Sequence, residues 1–164
     1  HFGMDVSNDS REGIQFNIVG TNYKLTNVQS AIGLGQLDHI EKLLSRRIEL
    51  ANNYKKIISK IDKISLPQVL DPKPNTQHSF QSYIVYVEDR DRLMKEMRRK
   101  GIEVQIGTYS LHLHDAFNNN KLVQLSGDLS NSKWCYNHAL ALPLYHDLNF
   151  EQQEYILEEL EKNL

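Results

Sequence analysis

Between residues 26 and 62 the apolar positions repeat at helical spacing. Val28, Ala31, Ile32, Leu37, Ile40, Leu44, Ile48, Ala51, Tyr54, Ile58 and Ile61 fall on one stripe. Thr26, with Gln29 three residues on, forms a capping box at the start of that stripe. An unbroken helix here would run on the order of 50 Å. Gly33 and Gly35 each weaken it by about 1 kcal/mol relative to alanine, so a kink or a close backbone approach is expected there. Residues 26–62 therefore read as one bent helix or two nearly continuous ones. The first third of that stretch is expected to pack on something outside this chain.

The period shortens after this stripe. The segment "SLPQVLDPKPNTQ" holds three of the four prolines and reads as an extended connector. A strand is expected at 80–87, with Phe80, Ile84 and Tyr86 on one face. Asp89 should cap a helix carrying Leu93, Met94 and Met97, stopped by Gly101. Ile102, Val104 and Ile106 alternate as a second strand. The stretch "GTYSLHLHDAFNNN" reads as loop, 128–139 as helix, and 140–145, broken by Pro143, as an edge strand or extended run. Asn149 and Gln152 cap a last helix whose inner face is Tyr155, Ile156 and Leu160; the carboxylates at 151–161 read as its solvated face. Residues 1–20 read as an irregular arm, with a short strand in "IQFNIVG". The expected fold class is α/β (α+β): a two-layer sandwich of a small three-stranded sheet with helices, preceded by a long helix and an arm. The expected division is an arm at 1–25, a long helix at 26–62 and a small domain at 63–164.

Composition narrows the function classes. Nineteen Lys and Arg against 21 Asp and Glu give a net charge of −2, which offers no footprint for nucleic acid or an anionic membrane. The segment "YKLTNVQSAIGLGQLDHI" has residues spaced as in a helix-turn-helix, but the acidic balance argues against that reading. No stretch is apolar for long enough to span a bilayer. The single cysteine, Cys135, excludes an internal disulfide and fits a cytoplasmic origin; it reads as a buried, inert thiol. The chain opens on His1 rather than Met, which fits a fragment or a processed product.

His112 and His114 stand two apart beside Asp115. On a strand both imidazoles would share a face and could reach one zinc, with His138 or His146 as a third ligand. That pattern would suit a metal-dependent hydrolase. The plainer reading has one histidine packed and the other in solvent, and no metal ligand is assigned.

Several segments, in order, resemble one family. "GTNYKLTNVQSAIGLGQL" resembles the signature Gly-x-Asn-Tyr-Arg-(Met/Leu)-(Thr/Ser)-x-(Ile/Val)-Gln-Ala-Ala-Ile-Gly of the DegT/DnrJ/EryC1/StrS sugar aminotransferases, which have the aspartate aminotransferase fold. "HSFQSYIVYV" is similar to that family's strand after the linker. "RKGIEVQIGTYSLHLHDAF" resembles its "KGI…GTYALHLQPAY", and "ALALPLYHDLNFEQQEYI" its "LPLYPGLTEEEQ". Lys24 for Arg, Ser30 for Ala, and Asp115 and His146 for proline are departures.

The resemblance implies a small C-terminal domain joined by a bridging helix to a large domain. It implies amino transfer, typically from glutamate, onto a nucleotide-linked keto-sugar, with pyridoxal phosphate as electron sink. The family's Schiff-base lysine lies upstream of the segment matching "HFG", so no catalytic residue is assigned here and the isolated chain is expected to be inactive. Asn22 matches the asparagine that reaches the cofactor phosphate of the neighbouring subunit, and Tyr23 stands beside it. Tyr109 and His112 match positions near the sugar-nucleotide pocket; His78 and Gln81 are weaker candidates. A homodimer through the arm and long helix is implied, since Val28, Ala31, Ile32 and Leu34 would otherwise expose an apolar stripe. The competing class is a noncatalytic dimerisation or regulatory domain.

Overall fold

The structure, a computed structural model, describes residues 24–68, 76–118 and 121–164, together with the backbone of two short strands further upstream. The chain divides into two compact units, 1–40 and 41–164.

In the first unit β1 (Met4–Asp5) pairs antiparallel with β2 (Gln15–Phe16), Met4 opposite Phe16. β2 falls in the segment expected to hold a short strand, and its partner β1 in the stretch read as irregular. Helix α1 (Asn27–Leu37) opens on the expected capping box: the Gln29 amide donates to Thr26 Oγ1 at 3.2 Å, and the Thr26 amide to Gln29 Oε1 at 2.9 Å. No side chain of α1 is buried, and Val28, Ile32, Leu34 and Leu37 are all at least 60% exposed. Gly33 and Gly35 lie inside regular helix, with no described residue within 4 Å of where a Cβ would stand, and they cause no kink. The break comes instead at residues 38–39, where the Asp38 amide reaches Leu34 O and the His39 amide tightens to Gln36 O.

The second unit is built on a sheet in the order β3 (Tyr83–Tyr86), β5 (Ala139–Leu142), β4 (Gln105–Ile106), antiparallel throughout. Residues 139–142 are thus the central strand, not an edge. The strand ends before Pro143, so the missing amide hydrogen removes no rung of the ladder. Its sequence alternates alanine with leucine. Leu140 and Leu142 stand opposite Val85 and Tyr83 and make one face. Against that face pack α2 (Ile40–Ile58) through Leu50, Ala51, Tyr54 and Ile58, α3 (Arg90–Arg99) through Leu93 and Met97, and α6 (Phe150–Lys162) through Ile156, Leu157 and Leu160. This is the two-layer sandwich the patterning called for. On the other face α5 (Ser130–His138) sets Trp134 edge-on to Tyr86, with centroids 4.8 Å apart.

Several local expectations change. The buried residues of β3 are Tyr83 and Val85, while Ile84 and Tyr86 are only half-buried, because the Leu face receives three helices and the other is only partly covered. Phe80 lies outside the strand with φ of 46°. Asp89 also has a left-handed backbone (φ 46°) and makes no side-chain cap; its carboxylate takes Arg92 Nε at 2.9 Å. Gly101 does stop α3: at φ 74° it lets the Ile102 amide reach Met97 O and its own amide reach Arg98 O, the paired bonds of a Schellman turn. Tyr155 is exposed, and Leu157 takes the inner position expected of it. Glu159 is buried rather than solvated, beside Lys162 Nζ at 2.8 Å; that hydrogen bond holds its carboxyl below the ordinary value.

Two polar anchors tie α2 to the rest of its unit. Gln153 of α6, fully buried, donates to Leu50 O and accepts from Asn53 Nδ2, both at 2.9 Å. Arg46 donates to Leu148 O at 2.6 Å and to His146 O at 3.3 Å.

Two outcomes test this packing. A Cβ at Gly107 would meet Ala139 Cβ at 2.8 Å and the Ala139 carbonyl carbon at 3.1 Å. Neither can swing away, so Gly107→Ala should cost about 1–3 kcal/mol in urea unfolding. The second concerns alkaline stability. Burial raises the Tyr83 phenol from 10.0 to about 12 and pushes Tyr54 up as well. The unfolded phenols ionise first, so their contribution is complete below about pH 10 and declines as pH climbs towards 12. Tyr83 alone accounts for about 2–3 kcal/mol of that loss; Tyr83→Phe should flatten the stability curve there.

Candidate functional site

Three of the sequence-predicted candidates, Tyr109, His112 and His114, lie on the segment from Gly107 to His114. Its start is pinned to the central strand by the Gly107 amide, which donates to Ala139 O at 2.9 Å. The absence of a Cβ lets Gly107 lie against Ala139 and Ile84. From there Tyr109 stands 60% exposed, Ser110 is wholly buried, and Leu111–Leu113 wind one 3-10 turn before the short helix α4 (Asp115–Asn118). The turn overturns the geometry behind the zinc reading, since residues two apart share a face on a strand and not here. Among the described residues no group of three His, Cys, Asp or Glu is placed to hold a metal ion.

The two histidines have separate surroundings. His112 Nδ1 lies 3.0 Å from Ser110 Oγ, which is itself 2.9 Å from Ser132 Oγ on α5. His114 packs edge-on to Tyr136, 6.0 Å between centroids, and faces Tyr109 at 6.2 Å. Its Nε2 is buried without a partner among the described residues. Tyr109 and Tyr136 are 6.1 Å apart, and the Arg90 guanidinium lies 5.5 Å from the Tyr136 ring centre. Arg90, 3% exposed, also donates to Ala139 O at 3.3 Å and pairs with Asp91 at 2.7 Å. One carbonyl of the central strand therefore anchors both the loop and the cation behind its aromatic wall.

The remaining candidates lie elsewhere. His78 and Gln81 line a groove of about 740 Å³ with Asn52, Lys55, Phe80 and Tyr83. Arg47 fixes its wall by donating to Phe80 O at 2.8 Å and Gln81 O at 3.2 Å, and the Phe80 amide donates to His78 Nδ1 at 3.0 Å. Ile84 lines this groove and also abuts Gly107, so the two places share one side chain. His138 stacks on Trp134 and faces Glu88 at 3.6 Å, and His146 meets Arg46 through its carbonyl; neither joins His112. Cys135 is half-buried with its sulfur 3.6 Å from the Tyr86 hydroxyl, a contact that, with burial, pushes that phenol up. Asn22 and Tyr23 lie outside the described residues.

Ser110, Ser132, Tyr136 and Arg90 were not singled out from the sequence. Only Ser110 carried a signal, its place two residues before His112. The others reach the loop because α3 and α5 flank the central strand.

Every described lysine is exposed.

The family model of the DegT/DnrJ/EryC1/StrS aminotransferases matches residues 1–161. Over 147 residues the chain is 29% identical to GDP-perosamine synthase of Escherichia coli O157:H7, covering 87% of this chain and 37% of that protein. It is 26% identical over 132 residues to an uncharacterized protein of Methanocaldococcus jannaschii, covering 77% and 33%. The fold superposes on S. venezuelae DesV, solved in complex with a ketimine intermediate, with a TM-score of 0.76 at 24% identity, covering 93% of this chain and 40% of that one. The chain thus spans between a third and two-fifths of the length of these proteins. With residues 1–161 matched by the family model, the chain belongs to the DegT/DnrJ/EryC1/StrS aminotransferase family.

Proposed function

We propose that this chain is the C-terminal portion of a pyridoxal phosphate-dependent aminotransferase that moves an amino group, typically from glutamate, onto a nucleotide-linked keto-sugar in the cytoplasm. The family match over residues 1–161 carries the reading. The name of the Escherichia coli relative, a GDP-perosamine synthase, supports the nucleotide-sugar part. When bound, the cofactor supplies an electron sink for carbanion chemistry. The amine that holds it comes from outside these 164 residues, which accords with the exposure of every described lysine.

What this chain contributes is recognition and assembly. His112 donates a ring N–H to a phosphate oxygen of the nucleotide sugar, and Tyr109 offers an aromatic face to the sugar. The half-buried His112 and the exposed Tyr109 ring support this assignment. The Asn22 amide serves the cofactor phosphate of a neighbouring subunit. The arm and α1 form the homodimer and large-domain contact; the exposed Leu25, Val28, Ile32 and Leu34 support that, since a contiguous apolar stripe is ordinarily covered by a partner.

Borohydride trapping tests the division of labour. The chain mixed with pyridoxal phosphate and reduced should show only scattered adducts over its exposed lysines and no glutamate-dependent amino transfer. A stoichiometric adduct on one lysine would refute the assignment.

A further inference from the structure

We propose that Ser110 and Ser132 are positioning residues that set the tautomer of His112, leaving its Nε2–H as the donor presented to an anionic ligand. This rests on the reading of His112 as a contact to the nucleotide-sugar diphosphate. Ser110 is fully buried, and its hydroxyl has two neighbours, His112 Nδ1 at 3.0 Å and Ser132 Oγ at 2.9 Å. A hydroxyl carries one proton, so it donates to only one of them. An unprotonated ring nitrogen is a stronger acceptor than a second hydroxyl, and in the proposed arrangement the hydroxyl chain runs Ser132 to Ser110 to Nδ1. With Nδ1 accepting, the neutral ring carries its proton on Nε2.

The arrangement tolerates a change of charge. If the ring takes a second proton, Nδ1–H donates to Ser110 and Ser110 turns to donate to Ser132. Two hydroxyl rotations accommodate it, and Nε2–H stays a donor in both states. Among the described residues His112 has no second polar partner, so nothing else fixes its tautomer.

The experiment is a long-range proton–nitrogen correlation of the histidine rings in the labelled chain, at a pH where the rings are neutral. His112 should show a single tautomer with Nδ1 unprotonated, and the Ser110 hydroxyl proton should exchange slowly enough to be seen. Ser110→Ala should return the His112 ring to averaged tautomers with the amide spectrum otherwise unchanged, and should weaken UDP or GDP binding by about three- to tenfold, as expected when a hydrogen bond to a charged group loses its orientation. A mixed tautomer in the unmodified chain, or ring shifts indifferent to Ser110→Ala, overturns the proposal. The hydroxyl signal supplies a reading that needs no variant. A locked tautomer combined with nucleotide binding unaffected by His112→Ala would leave the serine device standing and sink the substrate contact instead.

Discussion

Four residues, Ala139–Leu142, hold the middle of the sheet, and the alternation of small and large side chains along them sets what each face can accept. Leucine on one side gives three helices a common surface to bury, with Leu140 at no measurable exposure. Alanine on the other side leaves room for a loop backbone to lie directly on the strand. Exchange of the two faces, by a register slip of one residue, would put leucine under Gly107 and alanine in the core.

The candidate site inherits its position from that small face. Gly107 rests on Ala139, and the Ala139 carbonyl takes both the Gly107 amide and the Arg90 guanidinium. Arg90 in turn stands over Tyr136, which walls in Tyr109 and His114. A buried arginine is costly unless its charge is neutralised and its donors are engaged; here Asp91, a backbone carbonyl and an aromatic ring share that task. The result is a loop whose exposed tip sits on a rigid base, the arrangement by which a scaffold places ligand contacts on a connecting segment.

The described helices of the two units differ in how much they bury. In the second, α2, α3 and α6 close a continuous core with the sheet. In the first, α1 has a complete cap and intact helical hydrogen bonding but no buried side chain. Capping contributes on the order of 1 kcal/mol and does not by itself sustain an eleven-residue helix. The apolar residues of α1 stay exposed in a chain that spans less than half the length of the relatives it matches.

Much of this was legible from spacing alone: both capping boxes, the Gly101 stop, the apolar stripe of α2 and the three strands, because each depends on residues within a few positions of one another. The family was legible too, from four segments in fixed order. What spacing could not give was which strand is central, since Pro143 marks where a strand ends and not who its neighbours are. Nor could it show that Glu159 is buried, that Asp89 fails to cap, or that a serine on α5 reaches the loop before His112. Local sequence determined the elements and the kind of fold, because periodicity and capping act over one or two turns. Tertiary packing alone decided strand order, which carboxylate is enclosed and which side chains surround His112, because those contacts join residues far apart in the chain and exist only once the sheet has closed.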